Sequence, residues 1–377
     1  MIKYLFHLSF STRLFWAIVT SLVLTFYLCR RIIFFCNKNK IVDEVRDLQL
    51  EHQENKNVPS MGGVAIVLST FVSTLLFANL KNIYVQLLLL TMLITGGIGF
   101  VDDYIKIFKR SKEGIRPIGK LLIQGVLGII ICCATFGNKK VDVKFPKKYK
   151  IVSVQENEKH VKRVVTRIPF CKKYALDYKT KHWLAFVIYV CILTFIISGT
   201  SNAVNLTDGI DGLALKNSLI SLFVLIFLSF VFGKKGFASN LHSFYIKNIL
   251  ESSIFSCSLF SSCLACLWFN AFPAKIFIGD TGSLMLGGVI AVLAIFLRIE
   301  LFLPILCGLF FIETLTVILQ VGYFKYTKKK SGTGKKLFLL SPLHYHLIKK
   351  GWPEVNTAAR LTILSIVCAI ITLFALF

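Results

Sequence analysis

The chain has 377 residues, of which 55% are hydrophobic and only 17% are charged, and its mean hydropathy is +0.70. A soluble domain carries about 25% charged residues, so this composition excludes an ordinary water-soluble globular protein. The net charge of +25 is scattered over the segments between apolar stretches, with no nucleic-acid recognition motif beside it. It therefore indicates anionic membrane lipid and phosphorylated substrates as partners, and no nucleic acid.

Ten apolar segments follow one another along the chain, and each approaches the ~20 residues that a spanning helix needs. They predict an all-α fold, a polytopic membrane protein with about ten transmembrane helices in one integral membrane domain, 1–377. The first segment lacks a small-residue cleavage site and is expected to be retained. A basic extramembrane loop, 138–182, separates the fourth and fifth helices. The segments lie at 14–35, 61–80, 84–104, 119–137, 183–200, 213–233, 251–270, 281–301, 303–324 and 357–377.

Alternation of ten spans brings every second loop to the same side of the membrane. That side receives five aspartates and a histidine cluster. Lys and Arg near helix ends mark the cytoplasmic side, and they place the aspartates there when the basic loop 138–182 is left out of the comparison. With that loop included, the rule does not decide the orientation. The side chains concerned are Asp102, Asp103, Asp208, Asp211, Asp280, His344 and His346.

Two adjacent aspartates end the third segment, in the sequence GFVDDYIK. A carboxylate beside hydrocarbon is costly and usually marks a functional site. Asp102 and Lys106 are four residues apart and share a helix face, so an interfacial ion pair is the simplest interpretation. The neighbouring Asp103 requires more, because two adjacent acids repel each other unless a divalent cation or a shared proton holds them together.

Two further polar segments interrupt the hydrophobic runs. The segment NAVNLTDGIDGL carries Asn205, Asp208 and Asp211, and this density of oxygen ligands is typical of Mg²⁺, which bridges carboxylates to phosphates. The segment FNAFPAKIFIGDTGSL carries Asn270, Phe277 and Asp280. Asp280 is placed to cap the next helix, whose N-terminal end favours anions. Together the three segments predict a catalytic or ion-binding site.

Other patterns are weaker. SGTGKKLF at 331–338 fails as a phosphate-binding P-loop, because Lys329 stands where the first glycine is required and Lys336 where Ser or Thr is required. Most of the eleven cysteines lie in apolar segments and are interpreted as packing residues. A proton-coupled transporter is an alternative from a different class, but its carboxylates are expected near the membrane midplane.

The polar segments, in this order, resemble the polyprenyl-phosphate N-acetylhexosamine-1-phosphate transferase superfamily. More closely, the chain resembles the phospho-N-acetylmuramoyl-pentapeptide transferase family, over about residues 46–362. The last motif separates this family from relatives that use other sugar nucleotides. The motifs are PSMGG at 59–63, DDYIK at 102–106, NAVNLTDGIDGLA at 202–214, FNAFPAKIFIGDTGSL at 269–284 and SPLHYHLIKKGWPE at 341–354.

The resemblance implies an enzyme of the bacterial cytoplasmic (inner) membrane. It would transfer phospho-MurNAc-pentapeptide from UDP-MurNAc-pentapeptide to undecaprenyl phosphate, giving lipid I and UMP with Mg²⁺ as cofactor, and it suggests a homodimer. Whether transfer proceeds by direct attack or through a covalent intermediate stays open. The alternative is a polyprenyl-phosphate GlcNAc-1-phosphate transferase of the same superfamily.

The resemblance also assigns roles to individual residues. The metal ligands would be Asp280 and Asp208, and Asp102 would deprotonate or orient the lipid phosphate. Further catalytic residues would be Asp103, Asp208 and His344, and the substrate-binding residues would be Ser60, Lys106, Asn205, Asp211, Asn270, Phe277 and His346.

The chain departs from the family pattern in a few places. Asn55 aligns with a family lysine and leaves Lys56 one position away, so either residue is a candidate for that lysine's role. Tyr345 interrupts a triple histidine, and Arg110 replaces a common lysine.

Overall fold

The computed structural model describes residues 8–39, 41, 58–109, 114–137, 143–144, 150–151, 165–170, 174–177, 183–241 and 243–377. Asn55, Lys56, Arg110 and most of the loop 138–182, which the sequence analysis singled out, lie outside the described residues.

The described chain is a bundle of α-helices with a few very short strands. The α-helices are α1 Phe10–Lys38, α2 Gly62–Phe77, α3 Ile83–Phe108, α4 Pro117–Gly137, α5 Trp183–Thr207, α6 Leu213–Gly233, α7 Lys235–Asn240, α8 Ser252–Asn270, α9 Gly279–Phe296, α10 Leu303–Leu306, α11 Gly308–Ser331, α12 Leu343–Lys349 and α13 Glu354–Leu376. The strands are β1 Val143–Lys144, β2 Lys150–Ile151, β3 Val165–Arg167, β4 Tyr174–Asp177 and β5 Tyr245–Ile246.

Within the described residues, nine helices are long and apolar enough to cross a membrane, namely α1, α3, α4, α5, α6, α8, α9, α11 and α13. The prediction of an all-α, multi-pass membrane protein is confirmed. The remaining predicted span, 61–80, corresponds to α2, which has only 16 residues. It therefore extends about 24 Å, less than the ~30 Å of the hydrocarbon core.

Two predicted boundaries are wrong in a way that affects the site. The fifth helix continues to Thr207 instead of ending near residue 200, so much of the NAVNLTDGIDGL segment is helical. The long helix predicted at 303–324 begins only at Gly308, because the chain forms the separate short helix α10 before a break at Cys307. Polar residues on an interior helix face are easily taken for a loop when the buried surface is unknown.

The helix α9 lies at the centre of the bundle. Every residue from Thr281 to Phe296 is buried, as expected of a helix that is apolar on all sides. It packs against α2, α3, α5 and α6, with α3 making its most extensive contact. Helix α1 lies outside α2 and α8. Asp280, in the first turn of α9, is therefore surrounded by several helices.

The described parts of the loop 138–182 lie at the other end of α9. Arg167 is buried, its guanidinium lies 4.2 Å from the ring centre of Phe244, and its backbone N–H donates to Arg298 O at 3.1 Å. The Thr166 hydroxyl donates to Glu300. Burial raises the pKa of Glu300 to about 7, against the opposing effect of Arg298. The loop is thus anchored on buried charges.

Gly99 allows the closest approach of α3 to α9. A Cβ at this position would lie 2.2 Å from Asp280 O, whereas a Cβ at Gly97 would meet nothing within 4 Å. Gly99→Ala should lower the Tm of the detergent-purified protein, because overpacking costs about 1–3 kcal/mol and exceeds the ~0.5–1 kcal/mol that alanine gains in a helix. Gly97→Ala is the matched control and should keep or raise the Tm. Equal shifts in both variants would contradict this packing.

Candidate functional site

Asp103 attaches the end of α3 to the start of α9. Its Oδ1 accepts the backbone N–H of Asp280 at 2.9 Å, and its Oδ2 accepts the backbone N–H and the hydroxyl of Thr281 at 2.9 and 2.6 Å. The first amides of a helix have no partner within the helix, and the positive end of its dipole favours a carboxylate. Asp103 therefore caps α9 and positions Asp280. Its predicted catalytic role stays a prediction.

Asp102 and Asp280 share two lysines. Lys106 Nζ lies 2.7 Å from Asp102 Oδ2 and 3.0 Å from Asp280 Oδ2. Lys120, from the start of α4, lies 3.1 Å from Asp102 Oδ1 and 3.0 Å from Asp280 Oδ2. We call these four side chains the charged cluster. Two carboxylates and two ammonium groups balance each other, which is the usual condition for burying charge.

The two carboxylates of the charged cluster differ in access. The Asp102 side chain is fully buried, and its Oδ1 also accepts the backbone N–H of Ile115 at 2.6 Å. The Asp280 side chain keeps 16% of its surface exposed. Asp280 is therefore the carboxylate of the pair that a bound ion or phosphate can reach.

Asn205 brings helix α5 to the same place. Its Nδ2 donates to Asp280 Oδ1 at 2.8 Å and to Ser283 Oγ at 2.9 Å. The structure thus joins residues from three of the polar segments seen in the sequence. Asp208 follows the end of α5, where it is half-buried and its backbone N–H donates to Asn205 O at 3.2 Å.

Two side chains to which the resemblance assigns substrate binding hold the backbone of the segment before α9. Asp211 Oδ2 accepts the backbone N–H of Ala274 at 2.8 Å. Asn270 Nδ2 donates to Ile276 O at 2.8 Å. Both residues are almost fully buried, whereas Phe277 is only partly buried. These contacts fix the backbone that presents the Phe277 ring.

The PSMGG segment pairs with this backbone. Phe277 N–H donates to Pro59 O at 2.9 Å, and Gly62 N–H donates to Phe277 O at 2.8 Å. Ser60, between them, is 2% exposed, and its Oγ has no hydrogen-bond partner among the described residues. A buried hydroxyl without a partner indicates a place where a ligand or water is expected to bind.

His344 contacts the loop that follows α5. Both His344 and Glu313 are fully buried, and Glu313 Oε2 lies 3.2 Å from His344 Nδ1. His344 Nε2 would be 2.3 Å from a Cβ at Gly209, and the Tyr345 hydroxyl donates to Gly209 O at 2.8 Å. Only glycine leaves room for this imidazole. In this arrangement His344 supports the loop that carries Asp208.

His346 contacts the chain segment that precedes α12. Its Nδ1 accepts the backbone N–H of Leu339 at 3.2 Å. Burial and then Lys350 lower its pKa, so the neutral imidazole, which can accept this hydrogen bond, is favoured at pH 7. His346 thus orders the chain before α12, and its predicted contact with substrate stays a prediction.

Sequence reasoning missed Lys120. It contacts both Asp102 and Asp280, although it is far from either in the sequence. The available signal was a single lysine in the first turn of an otherwise apolar helix, PIGKLLIQ. A charge at such a place usually pairs with another charge inside the bundle.

The donors present suit a divalent cation that shares its coordination with phosphate. Among the described residues, no group of three His, Cys, Asp or Glu side chains is arranged to enclose a metal. Mg²⁺ typically binds through one or two carboxylates together with substrate phosphates. The partly exposed Asp280, beside Asp102 and Asn205, fits that pattern.

Comparison with known proteins identifies the family of this chain. A family model described as glycosyl transferase family 4 matches residues 85–298. The chain is 44% identical over 371 residues to the phospho-N-acetylmuramoyl-pentapeptide-transferase of Amoebophilus asiaticus, covering 96% of this chain and 92% of that protein. It is 40% identical over 376 residues to the protein of that name from Flavobacterium psychrophilum, with the same coverage.

The likeness extends to a third bacterium. The phospho-N-acetylmuramoyl-pentapeptide-transferase of Porphyromonas gingivalis is 38% identical over 400 aligned residues, covering 99% of this chain and 95% of that protein. The relatives match nearly end to end, and nine described helices are able to span a membrane. The chain is a multi-pass bacterial membrane protein that belongs to the phospho-N-acetylmuramoyl-pentapeptide transferase family of phosphoglycosyl transferases.

Proposed function

We propose that this protein transfers phospho-MurNAc-pentapeptide from UDP-MurNAc-pentapeptide to undecaprenyl phosphate, forming lipid I and UMP at the cytoplasmic face of the membrane. The observation that supports this most is the charged cluster at the N-terminal end of α9, where Lys106 and Lys120 bridge Asp102 and Asp280. The names of the relatives favour this donor over UDP-GlcNAc.

Both substrates are phosphate anions, and the site supplies the groups that hold them. The ammonium groups of Lys106 and Lys120 attract the diphosphate. When bound, Mg²⁺ would neutralise charge on the diphosphate and stabilise the UMP leaving group. We assign its binding to Asp280 with Asp208 as the second ligand.

The remaining residues receive roles that follow from their surroundings. Asp102 orients the phosphate of the lipid through Lys106, whose ammonium group it holds at 2.7 Å. Phe277 presents a partly exposed ring for the uracil, on a backbone fixed by Asn270 and Asp211. Transfer breaks one phosphoanhydride and forms another, so positioning and electrostatics contribute most of the catalysis. A homodimer, suggested by the resemblance, stays a prediction.

The direct test is UMP release by the purified protein in detergent. With UDP-MurNAc-pentapeptide, undecaprenyl phosphate and Mg²⁺ together, UMP should accumulate in proportion to lipid I, and omission of any one of them should stop it. Release with UDP-GlcNAc but not with the muramoyl donor would instead identify the sister activity. No UMP release with either donor would contradict the proposal.

Asp280→Asn should reduce UMP release by on the order of 10³-fold, because the amide keeps the volume but removes the charge that holds the cation. The protein should still fold, since Asp103 still caps α9, but its Tm should fall, because the two lysines then face a single carboxylate. UMP release and Tm are measured on the same preparation. Activity within tenfold of wild type would rule out Asp280 as the metal ligand.

Lys120→Met should lower UMP release by roughly 10²-fold, since one of two cations facing the diphosphate is lost. Lys109→Met is the matched control, because Lys109 is an exposed lysine at the end of α3. It should behave like the wild type. Similar losses in both variants would mean that net charge, and not the bridge to Asp280, explains the effect.

A further inference from the structure

Gln124 is a fully buried amide in the apolar helix α4, one turn beyond Lys120. A primary amide out of contact with water is costly unless its donors and acceptors are satisfied. The proposed function does not use this residue, and the family assignment does not explain why a polar side chain is buried here.

Three side chains from α5 satisfy this amide. Gln124 Oε1 accepts from Ser198 Oγ at 2.8 Å and from Asn202 Nδ2 at 3.1 Å. Gln124 Nε2 donates to Ser201 Oγ at 3.1 Å, and Ser201 Oγ donates to Leu284 O in α9 at 2.8 Å. We call Gln124, Ser198, Ser201 and Asn202 the amide network. It connects α4, α5 and α9.

The amide network lies one helical turn deeper than the residues around Asp280. In each of the three helices, a residue at the level of the amide network lies four positions from a residue at the level of Asp280, which corresponds to about one turn. The pairs are Lys120 and Gln124 in α4, Asn205 and Ser201 in α5, and Asp280 and Leu284 in α9. The same three helices therefore meet twice, once through the amide network and once through contacts to Asp280.

We propose that Gln124 is a positioning residue, which fixes the register of α4 against α5 and α9 so that Lys120 and Asn205 both reach Asp280. This inference rests on the proposed function of the charged cluster. Lys120 bridges two carboxylates over distances of 3.0 and 3.1 Å, so a small slide of α4 breaks one of these contacts. Misplacement by about 1 Å can lower a rate by about 10²-fold.

The test uses Gln124→Met, which keeps the length of the side chain and removes every amide contact. In the UMP-release assay, kcat should fall by about 10- to 100-fold while KM for the nucleotide donor changes by less than about threefold, because Lys120 is misplaced but the uridine end is untouched. The matched control is Thr135→Val. Thr135 is buried about three turns farther along α4, and its hydroxyl donates to Ile131 O and Cys132 O.

A double-mutant comparison separates positioning from simple stabilisation. If Gln124 acts through Lys120, adding Gln124→Met to Lys120→Met should lower kcat by less than about threefold further, since coupled residues are not additive. A merely structural role predicts a lower Tm and the same loss of total activity in both backgrounds, because less protein is folded. The kcat per folded molecule would then be unchanged. Either of these results would overturn the inference.

Ser201→Ala provides a second variant in case Gln124→Met does not fold. It removes the link from Gln124 to Leu284 O and leaves both neighbouring amides in place, so kcat should fall severalfold with little change in Tm. A wild-type kcat for Ser201→Ala and for any folded Gln124→Met would reject the positioning role. Failure of the wild-type protein to release UMP would instead reject the proposed function.

Discussion

The pairing of four charges at the start of α9 is the constraint on which this structure depends. The Asp102 side chain is fully buried and that of Asp280 is only 16% exposed, and an isolated charge within a helix bundle is strongly unfavourable. Each carboxylate has to meet cations, and the two lysines come from α3 and α4. Because Asp280 in α9 and Lys120 in α4 meet their counter-charges only on other helices, α3, α4 and α9 have to converge at one point.

The helices α3 and α9 can converge only if their backbones approach closely. Gly99 places α3 against the first turn of α9, and Asp103 satisfies the backbone amides that this turn leaves open. One turn below, the amide network satisfies polar groups that would otherwise face hydrocarbon. The same interactions that satisfy buried polar groups therefore set the distances within the site.

The sequence predicted much of this site, with particular exceptions. Asp102, Lys106, Asn205 and Asp280 were expected together and do meet. Lys120 was missed because its partners are distant in sequence and a lone lysine near a helix start has many ordinary explanations. His344, to which the resemblance assigns a catalytic role, is buried against Glu313 and Gly209, and that role stays a prediction. The residue type shows that a side chain is costly to bury, but it does not show which residues that side chain will contact.

By itself, the sequence determined the membrane class, the order of the long helices and the positions of the polar segments. These follow from local properties, because about twenty apolar residues in a row have to form a helix in a bilayer. Only the tertiary structure decided that α5 continues through Asn205, that α9 is central, and that Lys120 and Gln124 face it. Those features depend on which helix faces meet, and this is set by packing and charge pairing between segments that are far apart in the chain.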